Sequence, residues 1–160
     1  MSRPLPPAAA VVAIGANLGD TARAVADAVR ALEALPLTGR VSASAAIETV
    51  AVRLDGPDPD APRYRNAVAL VETRLGPSVL LAELHRIEAE HGRVRRERWG
   101  DRTLDLDLIA YGDVRSAAPA LLLPHPRAHE RRFVLEPWLR VDPEARIPDR
   151  GTVAEALRRL

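Results

Sequence analysis

After a proline-rich start, the chain carries an unbroken apolar run from Ala8 to Ile14 that ends at Gly15, Asn17 and Gly19. A short apolar run bounded by turn formers predicts a buried strand followed by a tight turn. Ala22, Val25, Ala26, Val29 and Leu32 then recur at helical spacing. They predict an amphipathic helix from Thr21 to about Leu35, capped by Asp20 or Thr21 and stopped by Pro36. Val41 to Val52 is rich in small and β-branched residues and reads as a strand, Arg53 to Arg63 as a Pro/Asp/Gly loop, and Tyr64 to Thr73 as an antiparallel partner strand. Pro77 opens a second helix carried by Leu80, Leu84 and Ile87, with an end expected near Gly92. From Thr103 to Tyr111 the alternation is strict, with Leu104, Leu106 and Leu108 on one face and Thr103, Asp105 and Asp107 on the other. Pro124 to Arg132 reads as a turn and short helix, Phe133 to Val141 continues helically across Pro137, and Thr152 to Leu160 forms a terminal helix.

Strand, helix, strand, strand, helix, strand is the order of a split βαβ unit. The expected fold class is therefore α+β: a ferredoxin-like antiparallel sheet with helices packed on it and helical additions at the C-terminus. With 160 residues, 47% of them hydrophobic, the chain has the material for one core, so residues 1–160 are expected to form a single domain. The apolar stretch near the start is far shorter than a membrane span and is interrupted by Gly15 and Asn17, which predicts a cytoplasmic protein without a membrane partner. No cysteine is present, which excludes disulfides, thiolate metal sites and a thiol nucleophile together.

Net charge is only +1, so no global basic field favours nucleic acid, and none is expected as a partner. All 23 basic residues are Arg, a bias that reads as codon usage, although the planar guanidinium fork suits phosphate well.

Local chemistry gathers in GRVRRERWGDRTLDLD, Gly92 to Asp107. Asp105 and Asp107 lie two apart on a strand, so both carboxylates leave one face, about 6–7 Å apart at their α-carbons. That spacing suits a divalent cation held by one or two carboxylates plus phosphate oxygens and water. It equally suits the solvated face of an edge strand. Arg93, Arg95, Arg96, Arg98 and Arg102 beside the pair favour a shared anionic ligand bridged by metal, and Trp99 in their midst can stack on a purine or a guanidinium. Gly15 to Gly19 precedes a helix but lacks the pattern of a phosphate-binding loop and reads as a structural turn. His125, between Pro124 and Pro126 and close to Arg127 and Arg131, can serve as a phosphate ligand or proton donor. Tyr64, Trp99 and Phe133 are three of only five aromatic residues, which suggests reservation for a flat ligand. On residues alone, a generic Mg²⁺-dependent phosphotransferase or nucleotidyltransferase and an RNA-binding module using the Arg segment both stay open.

AIGANLGD, YRNAVALVET, RIEAEHGRVRRERWGDRTLDLDLIAYG and LPHPRAHERRFVLEPW occur in the order and near the spacing of one family. By these segments the chain resembles 6-hydroxymethyl-7,8-dihydropterin pyrophosphokinase, an enzyme of folate synthesis. The resemblance implies a ferredoxin-like fold and transfer of the β,γ-pyrophosphoryl group of ATP to the hydroxymethyl oxygen of the dihydropterin, giving AMP, with ATP as co-substrate and two Mg²⁺ ions. It implies Asp105 and Asp107 as metal ligands and, with Arg93 and Arg102, as the catalytic set. Glu88, Arg93, Arg95, Trp99, Arg102, His125 and Arg131 match ATP-binding positions, with Arg95, Arg96 and Trp99 in a closing loop. Thr49, Val50, Val52, Tyr64, Asn66, Trp99 and Phe133 match pterin-binding ones. Asp101 stands where the family usually has Pro, and Thr49-Val50 where it has Thr-Pro. The small-molecule substrates are the only partners expected, and the protein is expected to be a monomer.

Overall fold

The computed structural model describes residues 6–17, 19–53, 56–58, 63–96 and 104–160, with the backbone alone for 51–53, 58 and 93–96. Four strands form the central sheet: β1 (Ala8–Ala16), β2 (Thr38–Ala43), β6 (Tyr64–Thr73) and β7 (Leu104–Tyr111), in the order β2-β6-β1-β7. A fifth, β3 (Ile47–Thr49), continues along β6 beyond β2, and every pairing in this sheet is antiparallel. β1 is therefore central, which explains why its sequence is apolar throughout rather than alternating: both its faces are covered along much of its length.

One face is sealed by α1 (Thr21–Glu33) and α2 (Pro77–Arg96). Val12, Ile14 and Ala16, Ala67, Ala69 and Val71, and Leu104, Leu106 and Leu108 meet Ala28 and Leu32 of α1 and Leu80, Leu84 and Ile87 of α2 in one core. Asp20 caps α1 by accepting the Arg23 N–H at 3.0 Å. Leu84 is fully buried here. Leu84→Ala is expected to lower unfolding free energy by about 2–5 kcal/mol, and Val79→Ala, at an exposed position of the same helix, by less than about 0.5 kcal/mol. Urea midpoints measure both, and equal shifts would contradict this packing.

A second core covers part of the opposite face, where Val11, Val68, Ile109 and Ala110 meet Val134, Leu135 and Trp138 of α3 (Arg132–Val141) and Val153 and Ala156 of α4 (Val153–Arg158). A bulge makes this possible: Val11 pairs with Ala110 and Val12 with Leu108, so Ile109 is an extra residue and two consecutive β7 side chains enter the same core. Toward the Gly15 end of β1 the helical cover stops and the face opens.

Several elements differ from the sequence expectation. The strand expected over Val41–Val52 is three pieces, β2, β3 and β4 (Ala51–Arg53). Ser44 explains the first break, because its N–H donates to Val68 O at 2.9 Å while its Oγ accepts the Val68 N–H at 3.0 Å in place of a ladder carbonyl. β4 pairs with β5 (Gly56–Asp58), so the segment expected to be a loop contains a small hairpin, with Gly56 at φ +108. The α2 helix passes Gly92 and ends at Arg96, since Gly92 lacks the positive φ of a helix-ending glycine. Arg93, Arg95 and Arg96 thus have helical backbone rather than lying in a loop.

Thr103 lies outside the described residues. A short 3₁₀ turn (Ala128–Glu130) precedes α3, which accommodates Pro137 in its interior. Two hairpins were not expected: β8 (Ser116–Ala118) with β9 (Leu121–Leu123), and β10 (Arg146–Ile147) with β11 (Gly151–Thr152). Among the described residues, no helix is long and apolar enough to cross a membrane.

Candidate active site

The uncovered end of the sheet forms a cavity of about 470 Å³, lined from β1, β6, β7, the β3–β4 link and the start of α3. Its position follows from strand alternation. Gly15 pairs with Asn66 on one side and Asp105 on the other, and Ala13 pairs with Val68 and Asp107, so all of these residues share the face opposite α1 and α2.

On the β6 side the walls are apolar and aromatic. Tyr64 begins β6 and Phe133 stands in the first turn of α3, and both line the cavity. Asn66 is 6% exposed and donates through Nδ2 to Thr49 Oγ1 at 2.7 Å, a bond that fixes its amide plane. Val50, which joins β3 to β4, is exposed and also lines the cavity. A buried amide in a cavity that two aromatic side chains also line suits a flat heterocycle with polar edges.

The β7 side is charged. Asp105 is exposed and Asp107 half-exposed, and Arg131 Nη1 stands 4.0 Å from Asp107 Oδ2. The Arg131 guanidinium lies 5.7 Å from the centroid of the Phe133 ring, so one cation touches both halves of the cavity. Arg127 lines the same wall and holds Glu130 at 3.5 Å.

Glu88 reaches this wall from α2. Its Oε2 accepts the N–H of Leu106, the residue between the two aspartates, at 3.1 Å. Burial pushes the Glu88 carboxyl above the usual carboxylate range, the Leu106 N–H opposes this, and the nearby Asp105 and Asp107 charges add to the rise.

His125 is held by its own backbone, with its N–H donating to Ile109 O at 2.8 Å, and its Nδ1 accepts the Arg127 N–H at 3.2 Å. An Nδ1 that accepts leaves the proton of the neutral ring on Nε2, which is thereby a donor. Burial lowers the His125 pKa, Asp107 opposes, and Arg131 and Arg127 lower it further. The folded state therefore resists protonation, so stability rises with pH across the window from the lowered folded value up to the unfolded value of about 6.5. Nitrogen-15 NMR of the ring should show the Nε2–H tautomer at pH 7 and a midpoint below 6.5. A midpoint at or above that value would contradict this environment.

Among the described residues no group of three or more His, Asp or Glu could enclose a metal ion. The donor set is instead two carboxylates on one strand face, opening on a cavity. That set fits Mg²⁺, which keeps several waters and takes one or two carboxylates together with phosphate oxygens.

Of the residues expected from the sequence, Thr49, Val50, Tyr64, Asn66, Asp105, Asp107, Arg131 and Phe133 line this cavity. Glu88 and His125 do not line it, but each interacts with its β7 wall. Arg93 and Arg95 are in the last turn of α2 and Val52 in β4, described by backbone only, while Trp99 and Arg102 lie outside the described residues. Five lining residues went unassigned: Ala13, Ile14, Gly15, Ala67 and Arg127. Arg127 was one charge among several near His125, and Gly15, read as part of a turn, is a strand residue whose facing only the register shows.

Residues 11–143 match the family described as 7,8-dihydro-6-hydroxymethylpterin-pyrophosphokinase (HPPK). The chain is 38% identical over 151 residues to the 2-amino-4-hydroxy-6-hydroxymethyldihydropteridine pyrophosphokinase of Haemophilus influenzae, covering 94% of this chain and 92% of that one. It is 40% identical over 146 residues to the protein of the same name from Pseudomonas aeruginosa, covering 91% and 88%. Solved structures share the fold at low identity. A crystal structure of HPPK-DHPS in complex with substrates gives a TM-score of 0.71 at 11% identity over 97% of this chain. Wild-type Plasmodium falciparum HPPK-DHPS with pterin and p-hydroxybenzoate gives 0.69 at 13% identity over 99%. This chain spans 43% and 42% of those longer chains. From the match over residues 11–143 and the identity to these relatives across nearly their whole length, the chain belongs to the 7,8-dihydro-6-hydroxymethylpterin pyrophosphokinase family.

Proposed function

We propose that this protein transfers the β,γ-pyrophosphoryl group of ATP to the hydroxymethyl oxygen of 6-hydroxymethyl-7,8-dihydropterin, releasing AMP. The observation that carries the proposal is the division of a single cavity into a seat for a flat ring (Thr49, Tyr64, Asn66, Phe133) and an adjoining wall of paired carboxylates and arginines (Asp105, Asp107, Arg127, Arg131). The two halves are set side by side by β1, with Gly15 facing Asn66 on one flank and Asp105 on the other.

In this reading Tyr64 and Phe133 sandwich the pterin, Asn66 reads its polar edge, and Thr49, Val50 and Val52 contact it by backbone. Asp105 and Asp107 would hold Mg²⁺, in two ions, which neutralises the polyphosphate and organises its oxygens. The hydroxymethyl oxygen forms a bond to the β-phosphorus, the bond from that phosphorus to the oxygen bridging to the α-phosphate breaks, and AMP departs. The hydroxyl proton leaves to solvent or to a phosphate oxygen. Arg131, Arg93 and Arg102 oppose the charge that develops on the transferred group, which is where fixed cations accelerate phosphoryl transfer most. His125 donates through Nε2 to a phosphate oxygen. Glu88, Arg95 and Trp99 complete the ATP contacts, with Trp99 also closing over the pterin.

The sheet order β2-β6-β1-β7 with α1 and α2 on one face supports a ferredoxin-like reading, with α3 and α4 as C-terminal additions and residues 1–160 as one domain. We also propose that it acts as a cytoplasmic monomer on small molecules and not on nucleic acid, in keeping with a net charge of +1. Chromatography of the nucleotides after incubation with ATP, Mg²⁺ and the dihydropterin tests the reaction class. AMP that appears only when the pterin is present is expected, and ADP as the nucleotide product would contradict it.

A further inference from the structure

Glycine inside a strand weakens it, through lost packing and the freedom it surrenders on folding. Gly15 lies in the central strand, paired on both sides, and does not have a positive φ, so no unusual backbone angle calls for glycine there. What calls for it is space. A Cβ built at position 15 would lie 3.3 Å from Asn66 Oδ1, closer than ordinary van der Waals contact. The Asn66 amide has little room to yield, because the residue is 6% exposed and its Nδ2 is tied to Thr49 Oγ1 at 2.7 Å.

The next residue of β1 on this face is Ala13, between Val68 and Asp107, so the floor from the amide to the aspartates carries almost no side chain. We propose that Gly15 is a specificity-determining position. Its missing side chain leaves the Asn66 carbonyl oxygen in place as an acceptor and sets the depth at which a flat heterocycle with N–H donors can sit beside the carboxylate wall. This rests on the proposed function and deepens it: Gly15 acts through Asn66, as a positioning residue, on the heterocycle and not on the nucleotide.

The test compares Gly15→Ala with the wild type by dihydropterin fluorescence titration, by binding of a non-hydrolysable ATP analogue with Mg²⁺, and by thermal midpoint. Dihydropterin affinity should fall about tenfold, the cost of one misplaced buried hydrogen bond, while affinity for the analogue is unchanged. In an Asn66→Ala background the same substitution should cost no further affinity, because its effect passes through that amide. An unaltered dihydropterin affinity, an equal loss for the analogue, or an equal loss in both backgrounds would each overturn the proposal.

Should Gly15→Ala not fold, Thr49→Val releases the same amide from its other side in an otherwise intact sheet. A dihydropterin affinity unchanged there overturns the proposal as well. Wild-type protein that binds no dihydropterin would instead sink the proposed function, and this inference with it.

Discussion

Asp107→Ala is expected to lower turnover by about 10²–10³-fold or more while leaving the fold intact. Asp107 sits on the cavity face of β7, outside both cores, and its side chain is 49% exposed, so its loss opens no void. What it removes is half of the carboxylate pair and the counter-charge 4.0 Å from Arg131. Asp107→Asn keeps the shape and discards the charge, and should be nearly as inactive. Steady-state kinetics across a Mg²⁺ series, with circular dichroism and a thermal midpoint, separate chemistry from folding. Turnover like that of the wild type in either variant would remove Asp107 from the site.

Arg131→Ala is expected to lower kcat/KM by about 10²–10³-fold and to weaken both substrates. Its guanidinium spans the two halves of the cavity, 4.0 Å from Asp107 and 5.7 Å from the Phe133 centroid. Removing it takes the guanidinium away from Asp107 and from the Phe133 ring at once. Arg131→Lys should recover little, since an ammonium lacks the planar fork that can lie on a ring and bind oxygens together. A variant in which only the KM for ATP rises would show that the Phe133 contact contributes nothing to the pterin side.

These effects fall on residues whose sequence pattern could be read for a physical reason. Leu104 to Leu108 alternates because one face of this edge strand enters the helix-covered core while the other opens on the cavity, and the aspartates appear as breaks in polarity. The bulge at Ile109 ends the alternation expected to run to Tyr111. Ala8 to Ile14 could be read as a strand by its apolarity alone, but burial on both faces erased the alternation that would have shown where Gly15 points. The break at Ser44 was illegible, because it depends on a side-chain oxygen meeting Val68 across the sheet.

Gly92 misled because a glycine ends a helix only where φ turns positive, and nothing local forces that here. The small hairpins, with strands of two or three residues, are too short for any periodicity. For the site, the family motifs named residues that the fold gathers from β3, β6, β7 and the start of α3. Gly15 needed the strand register and Arg127 the folded course of the chain before α3, and Trp99 and Arg102 lie outside the described residues.

Phosphorus-31 NMR of the protein with ATP, Mg²⁺ and 6-hydroxymethyl-7,8-dihydropterin tests the central claim most directly, because it follows both transferred phosphates at once. The account predicts loss of the ATP signals in step with an AMP resonance and a coupled pair of diphosphate resonances attached to the pterin. A single pterin monophosphate with ADP, or free pyrophosphate with the adenylate on the pterin, would contradict it.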